Sequence, residues 1–450
     1  MSNCKPIPAW LTNWQGYLTE FHKNTIFETI IRTAMKPLTF NKFLSCLAGL
    51  LIGAFSLNAQ TDSVRLGYTV RGNVVDALSG KVMESVHVSI PERHYATVTN
   101  ADGDFVIKSD RAIGTLVFSY VGYKTVYQRV GDGDMKVRMT PESLQLAEAR
   151  IISADPLEVV RSAIYKIPDN YSSRPELLEC FYRETIRKGS RYTYISEAVA
   201  RMYKNSYKGS LQADRTALEK SRVLLSQRKR DTLSIKVQGG PTLAMTFDLV
   251  KNRDILLNER ELDQYVFEMD TPTYIEDRPQ FVIKFHPRRP QESDYAMYSG
   301  TMYIDTEWLS FTRMELSLDV SDKGKATRMM LVSKPISLRF TPREVTILVT
   351  YRKGEDGKFR LGYFRSSMRF NCDWRRRLFQ TTYTAVNELV VTDLREPAVP
   401  IARQDMFRVI DIMNDKATEF LDPDFWEDYN IIEPSESLEN AIGRLKKQHR

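Results

Sequence analysis

The sequence predicts a mostly β protein, α+β in class: a small β-sandwich followed by a larger curved antiparallel sheet with a few helices. Two observations carry this. Between Thr69 and Pro141, short runs rich in Val, Ile, Phe and Tyr alternate with polar residues, and Gly, Asp, Asn or Pro breaks them about every eight to twelve residues. From Tyr265 onward, longer runs keep their apolar residues on one parity: Phe281, Ile283 and Phe285 against Lys284 and His286, then Met314, Leu316 and Leu318 against Glu315 and Ser317. A period of two with one apolar face is a sheet covered on one side.

Within the first stretch, Val70 to Val75 reads as a strand that turns through Leu78, Ser79 and Gly80 toward a second strand at Val86 to Ile90. Thr97 to Thr99 leads into Asn100-Ala101-Asp102-Gly103-Asp104, where Asn can hold its own backbone and Gly can take positive φ. Phe105 to Ile107 and Leu116 to Tyr120 follow as strands. This stretch resembles the carboxypeptidase-regulatory-like (transthyretin-like) domain of Gram-negative envelope proteins. The resemblance rests on the opening Val70, Gly72, Val74 and Asp76, on the turn Thr99, Asp102, Gly103 and Phe105, and on Phe118 to Tyr123 with Ser119, Gly122 and Tyr123. It implies that Gly72, Asp76, Asp102, Gly103, Phe105, Ser119, Gly122 and Tyr123 are structural, and it brings no catalytic residue.

The first 59 residues read as targeting. Met35-Lys36-Pro37 and Lys42 precede an apolar run from Phe43 to Leu57 that ends in Asn58-Ala59-Gln60, the layout of a secretory signal peptide. At about fifteen residues the run is shorter than the roughly 20 needed to span a bilayer. The expected division is therefore 1–34 as a mis-assigned extension, 35–59 as signal peptide, 69–141 as sandwich, 144–434 as sheet domain and 435–450 as a final helix. A signal anchor is the rival reading of the leader.

Composition agrees with an exported globular chain. Its 64 Lys and Arg against 57 Asp and Glu give a net charge of +7. These charges are spread along the chain, with no long single-sign block of the kind a nucleic-acid surface needs. Beyond the leader only Cys180 and Cys372 remain. Both sit among apolar residues and read as buried free thiols, with pairing in an oxidising compartment as the alternative.

After a linker strand at Ser143 to Ile152, Asp155-Pro156 opens a helix as cap and first residue. Leu157, Val160, Ile164 and Ile167 share one face of it, and Pro168 is expected to end it. Leu178 to Arg187 and Tyr192 to Tyr203 read as paired strands. Lys204 to Lys236 is dense in charge and reads as a solvated insertion, and Thr242 to Lys251 as a helix. The later strands are joined by turns at Asp322-Lys323-Gly324, Gly354 to Gly357 and Arg375-Arg376-Arg377. Tyr298 to Asp305 with Arg313-Met314-Glu315 resembles the hairpin of envelope proteins whose curved sheet is like that of periplasmic lipoprotein carriers, as found in a family of uncharacterised secreted proteins. At the end, Asp422-Pro423 opens a turn with Phe425, Trp426 and Tyr429. Pro434-Ser435 opens a helix whose stripe is Leu438, Ala441, Ile442 and Leu445.

The chemistry is sparse. His87, His94, His286 and His449 have no Glu or His at ligand spacing, so no metal is expected. Asn100 to Asp104 departs from a calcium loop in the place of its glycine and last carboxylate. No G-x-S-x-G, C-x-x-C or phosphate-cradling glycine loop occurs. Tyr192, Tyr194, Tyr203 and Tyr207 are expected to pack against a sheet, with stacking on a glycan or a peptide as the alternative. With no catalytic, cofactor or metal residue, the reading is a non-enzymatic envelope protein in the periplasm or at the outer membrane. It binds or scaffolds an envelope partner and takes no nucleic acid. The alternatives are a periplasmic carrier of a lipid or other apolar ligand, and a secreted metallopeptidase.

Overall fold

The computed structural model describes residues 67–91, 93–142, 154–209, 213–228, 231, 235–237, 239–374, 380–416, 418–419 and 425–448. The leader, the linker at 143–153, the arginine tip at 375–377, Asp422-Pro423 and His449 lie outside them.

The front layer has seven strands: β1 (Tyr68–Asp76), β2 (His87–Ser89), β3 (Ala96–Val98), β4 (Asp104–Ser109), β5 (Thr115–Ser119), β6 (Val126–Arg129) and β7 (Met135–Met139). They form two sheets, β4-β1-β7 and β3-β2-β5-β6. Between them Val74, Val86, Val88, Phe105, Ile107, Leu116, Phe118, Val137 and Met139 are buried. The sandwich is not wholly antiparallel, because β1 pairs with β7 in parallel. Local turn signals are blind to such a pairing, since the last strand returns to the first across the whole layer.

There follow α1 (Pro156–Asn170), β8 (Glu176–Lys188), β9 (Arg191–Lys204), β10 (Arg215–Leu225), β11 (Lys236–Val237), α2 (Thr242–Thr246), α3 (Glu259–Leu262), β12 (Tyr265–Ile275) and β13 (Arg278–Pro287). Then come β14 (Tyr298–Asp305), β15 (Phe311–Leu318), α4 (Lys323–Met330), β16 (Leu331–Ser333), β17 (Leu338–Lys353), β18 (Phe359–Trp374) and β19 (Thr382–Arg395). The chain closes with α5 (Met413–Lys416), β20 (Thr418–Glu419) and α6 (Glu436–Lys446). Eleven strands form one curved sheet in the order β12-β13-β14-β15-β17-β18-β19-β8-β9-β10-β20. Register shifts at Asp270/Thr273, Pro342/Glu344, Thr350/Tyr351 and Val391/Asp393 bend it, as bulges do.

Alternation assigns the two faces. Cys180 and Tyr182 of β8 join Phe364, Met368 and Phe370 of β18 in the main core on the inner face, together with Val160, Ala163 and Ile167 of α1. Phe181, Val199, Tyr363 and Val390 face the other way and meet Val98 and Val106 of the sandwich. Helices thus close one face and the sandwich covers part of the other. Cys180 and Cys372 are both buried and free; burial pushes the Cys180 thiol up and the Cys372 thiol up to about 11.

Four expectations need correction. Pro168 does not end α1, which runs to Asn170. Its missing N–H falls in the last turn, where Tyr171 N–H donates to the Ile167 carbonyl at 3.0 Å and Asn170 Nδ2 to the Trp308 carbonyl at 2.5 Å. The charged stretch from Lys204 is not a solvated insertion. Arg215–Leu225 is a sheet strand against β9, and Lys204 is buried. Thr242 begins a helix of only five residues, after which the chain continues in turns through Asp248 and Asn252. Asp322 caps α4, accepting from Gly324 N–H and Lys325 N–H at 2.9 Å each, so it starts a helix and not a hairpin.

Candidate functional site: the seam between sandwich and sheet

The sequence-predicted residues fall into two groups. Gly72, Asp102, Gly103 and Phe105 hold the β1–β4 end of the sandwich. A Cβ on Gly72 would stand 2.4 Å from the Met135 carbonyl oxygen, so only glycine lets β1 lie that close to β7. Gly103 takes φ +78° in the turn where Asn100 Oδ1 accepts from Asp102 N–H and Asp104 N–H at 2.9 Å each. Phe105 is buried edge-on to Phe118, and Asp102 Oδ2 accepts from the Glu436 N–H at the start of α6 at 2.7 Å.

Asp76, Ser119, Gly122 and Tyr123 lie at the opposite side, toward the large sheet. Asp76 accepts from Ser79 N–H at 2.5 Å, Ser79 Oγ at 2.7 Å, Leu78 N–H at 3.1 Å and Tyr123 OH at 2.8 Å. These donors, the Ser79 amide above all, hold its carboxyl at about 2. Burial and the Asp76 carboxylate push the Tyr123 hydroxyl up to about 12. Gly122, at φ +77°, donates its N–H to the Tyr274 carbonyl of β12 at 2.8 Å. Thr125 N–H reaches Asp277 Oδ1 at 2.8 Å in the next hairpin turn.

Residues 425–433 complete the seam. Lys108 donates through Nζ to the Trp426 carbonyl at 2.6 Å and through N–H to Asn430 Oδ1 at 2.7 Å; Asn430 Nδ2 returns a bond to the Lys108 carbonyl at 3.1 Å. Thr97 Oγ1 donates to the Ile431 carbonyl at 2.8 Å. Beneath this segment, Arg183 Nε and Arg222 Nε each donate to Glu197 at 2.7 Å, and Arg183 also reaches the Ile432 carbonyl at 2.7 Å. Burial alone would raise the Glu197 carboxyl, yet the two guanidiniums overcome it and hold it at about 2.

Two spaces open along the seam. A groove of about 440 Å³ is rimmed by Asp76, Lys81, Glu84 and Tyr123 from the sandwich and by Arg313 and Arg365 from the sheet. Beside it, sharing Ser85, Tyr120, Arg313 and Leu348, lies a cleft of about 50 Å³ that reaches His87, Ser119, Glu276 and Arg352. Ser119 pairs with His87 across β5 and β2. The eight motif residues are therefore not one constellation: three of them, Asp76, Ser119 and Tyr123, line these spaces.

The inner face also carries buried charge, but in closed networks. Lys204 pairs with Asp248 and with Asp214 at 3.1 Å, while Tyr207 OH and Tyr351 OH donate to Asp248 at 2.7 Å and 3.0 Å. Burial works against the Lys204 charge, and the two aspartates outweigh it to raise its pKa. Glu184, raised by burial, accepts from Tyr182 OH at 2.7 Å and Gly240 N–H at 3.2 Å. Among the described residues, no group of three or more His, Cys, Asp or Glu could hold a metal, and no helix is long and apolar enough to cross a membrane. Hydropathy missed Arg183, Glu197, Lys204 and Arg352. The available signal was in β8, where Leu177, Leu178, Cys180, Phe181 and Tyr182 are apolar on both parities, so a strand covered on both faces also buries the charges it carries.

The front layer and its seam define a transthyretin-like module built onto a curved sheet that is antiparallel except where β20 joins β10 in parallel. Residues 70–151 match the CarboxypepD_reg-like domain family, so the chain carries that domain. No curated protein matches the chain. Solved structures that resemble it include a DUF1329 family protein from Desulfovibrio piger, at 14% identity over 55% of this chain and 96% of that one, TM-score 0.24. Others are the Pseudomonas aeruginosa MucA/MucB complex (11%, 54% and 99%, TM-score 0.16) and a LolA superfamily protein from Nitrosomonas europaea (10%, 54% and 97%, TM-score 0.19). Such low scores leave the function to be argued from the chain's own residues.

Proposed function

We propose that this chain is a non-enzymatic protein of the cell envelope that binds or scaffolds a partner along the seam between sandwich and sheet. The observation that carries this reading is where the open space lies. The inner apolar face is filled by the chain's own Leu243, Leu249, Val250, Leu256, Leu257 and Leu262, whereas the groove of about 440 Å³ lies at the seam and is rimmed by charge from both layers. A carrier of an apolar ligand would first have to expel that internal segment, and a metallopeptidase would have to gather ligands from His residues on separate segments. The periplasm or outer membrane as the place of action rests on the leader expected at 35–59.

A photo-crosslinking residue at Val82, which lines the groove and is 52% exposed, tests this against one at Tyr165, which is 79% exposed on α1. In intact cells Val82 gives a discrete adduct and Tyr165 none. Adducts at Tyr165 alone, or a lipid retained through native purification and seen by mass spectrometry, would overturn the reading.

A further inference from the structure

Along the seam, the arginines differ in one respect. Arg313 is held by Glu315 at 2.6 Å, and Arg365 by Glu84 at 2.8 Å. The Arg352 side chain makes no hydrogen bond or ion pair with any described residue; the residue is half-buried, and its Nε is fully buried. Its guanidinium is charged at every accessible pH and carries five N–H donors. Glu276 acts on it electrostatically from beyond ion-pair range. A half-buried guanidinium with no protein acceptor leaves its outer N–H groups for whatever enters the cleft.

A second residue of the same cleft has the same need. His87 Nε2 is buried without a partner, and both residues line the cleft of about 50 Å³. In its Nε2–H tautomer His87 is a second unused donor beside the arginine. Burial and the Arg352 charge both disfavour its own protonation. The backbone is shaped around this arginine. A Cβ on Gly362 would stand 2.8 Å from Arg352 Cδ, so glycine on β18 leaves room for the arginine stem, and the β17–β18 register shifts at Thr350/Tyr351 beside it.

We propose that the cleft between Arg352 and His87 is a binding site for a small oxyanion, of carboxylate or phosphate size, that supplies the acceptors these two donors lack. The volume agrees, because one water occupies about 10–15 Å³ on the same measure and the cleft holds several times that. A planar guanidinium beside a single N–H donor suits an oxyanion, which can take two parallel bonds from the first and one from the second. The opening onto the larger groove lets the anion be either free or the acidic end of a longer molecule. This deepens the seam reading and rests on it.

The test titrates the full-length protein with sodium phosphate, and separately with sodium acetate and N-acetylglutamate, at constant ionic strength made up with chloride. The readouts are Tm and the ring-nitrogen NMR shifts of selectively labelled histidine. At least one oxyanion is expected to raise Tm saturably by about 2 °C or more and to move the His87 signal while His94 and His286 stay fixed. Arg352→Gln abolishes both effects, whereas Arg289→Gln, at an exposed site, keeps both. Tighter binding of N-acetylglutamate than of acetate marks the acidic end of a longer molecule as the natural occupant, and equal or better binding of the free ions marks a free anion. No saturable response beyond chloride, or a response that survives Arg352→Gln, overturns the proposal. The His87 shift in the wild-type protein decides the matter even if the variant fails to fold. The crosslinking result at Val82 could still stand if the anion site fell.

Discussion

Gly300 on β14 shows how little freedom a single position can have. A Cβ there would stand 1.9 Å from the Glu315 carbonyl oxygen and 2.9 Å from its carbon, both backbone atoms of β15 that no side-chain rotation can move. Gly300→Ala must therefore push two paired strands apart, with an expected loss of about 3 kcal/mol, read as a lower urea midpoint at unchanged slope. Asp393 on β19 is a residue of the opposite kind, tolerated at a cost. Burial, and then the neighbouring Glu179, push its carboxyl from 3.8 to about 7. A raised carboxylate binds more protons in the folded chain than in the unfolded one. It therefore costs nothing below pH 3.8, costs more as the pH rises from there, and costs its full amount above about 7. Asp393→Asn is expected to stabilise the protein by on the order of 2 kcal/mol at pH 8 and by almost nothing at pH 4, after allowing for partial solvent screening. Equal effects at the two pH values in urea titrations would show that the carboxyl titrates normally.

At the scale of elements, the strands β8, β9 and β10 are held on their outer face by charges buried together. Arg183 and Glu197 stand directly opposite in the β8–β9 register, and Arg222 stands opposite Glu197 in the β9–β10 register. The Glu197→Gln variant leaves two guanidiniums buried without their anion and is expected to cost about 3–5 kcal/mol by chemical denaturation. Replacing all three residues with Met, Leu and Met should cost far less, because burying a pair is nearly neutral while orphaning a charge is not. Since Glu197 is held at about 2, its contribution is present above its ordinary pKa of 4.5 and fades as the pH falls through about 2. The same elements show what a sequence can and cannot reveal. Helix α1 was legible because its cap, its proline and its apolar stripe lie within one segment, and Asp155 does accept from Leu157 N–H at 2.9 Å. The sandwich strands and the Asn100 turn were legible for the same reason. The strand β10 was not, because its Arg222 finds its acid on β9 and Lys204 finds Asp248 far along the chain. Hydropathy counts each such charge as solvated when the partner is out of sight. The seam suffered most. Asp76 and Tyr123 stood out as motif residues, but Arg352 and His87 come to line one cleft only after two layers have docked.

At the scale of the whole molecule, the question is whether sandwich and sheet behave as one body or two. The joint between them is short in sequence and dense in contact, and Trp426 sits at its centre. Its ring is buried, edge-on to Phe181 with centroids 5.5 Å apart, and Arg222 lies 4.9 Å above it. Its carbonyl receives Lys108 from the sandwich. A side chain that touches the sheet beneath while its backbone holds the layer above couples the two, so the native protein should unfold in a single calorimetric transition. Trp426→Ala removes the ring but leaves the carbonyl, at an expected cost of about 3–5 kcal/mol. The distribution of that cost is what matters. If the tryptophan is the coupling, amide exchange in β3, β4 and residues 430–432 should accelerate well beyond that of β17 and β18, whose inner face has its own core of Val349, Tyr351, Phe364 and Met368. The calorimetric peak should also broaden or split. A variant that lost stability evenly, with one sharp transition and uniform acceleration, would mean that the layers are joined by the whole seam and not through this residue.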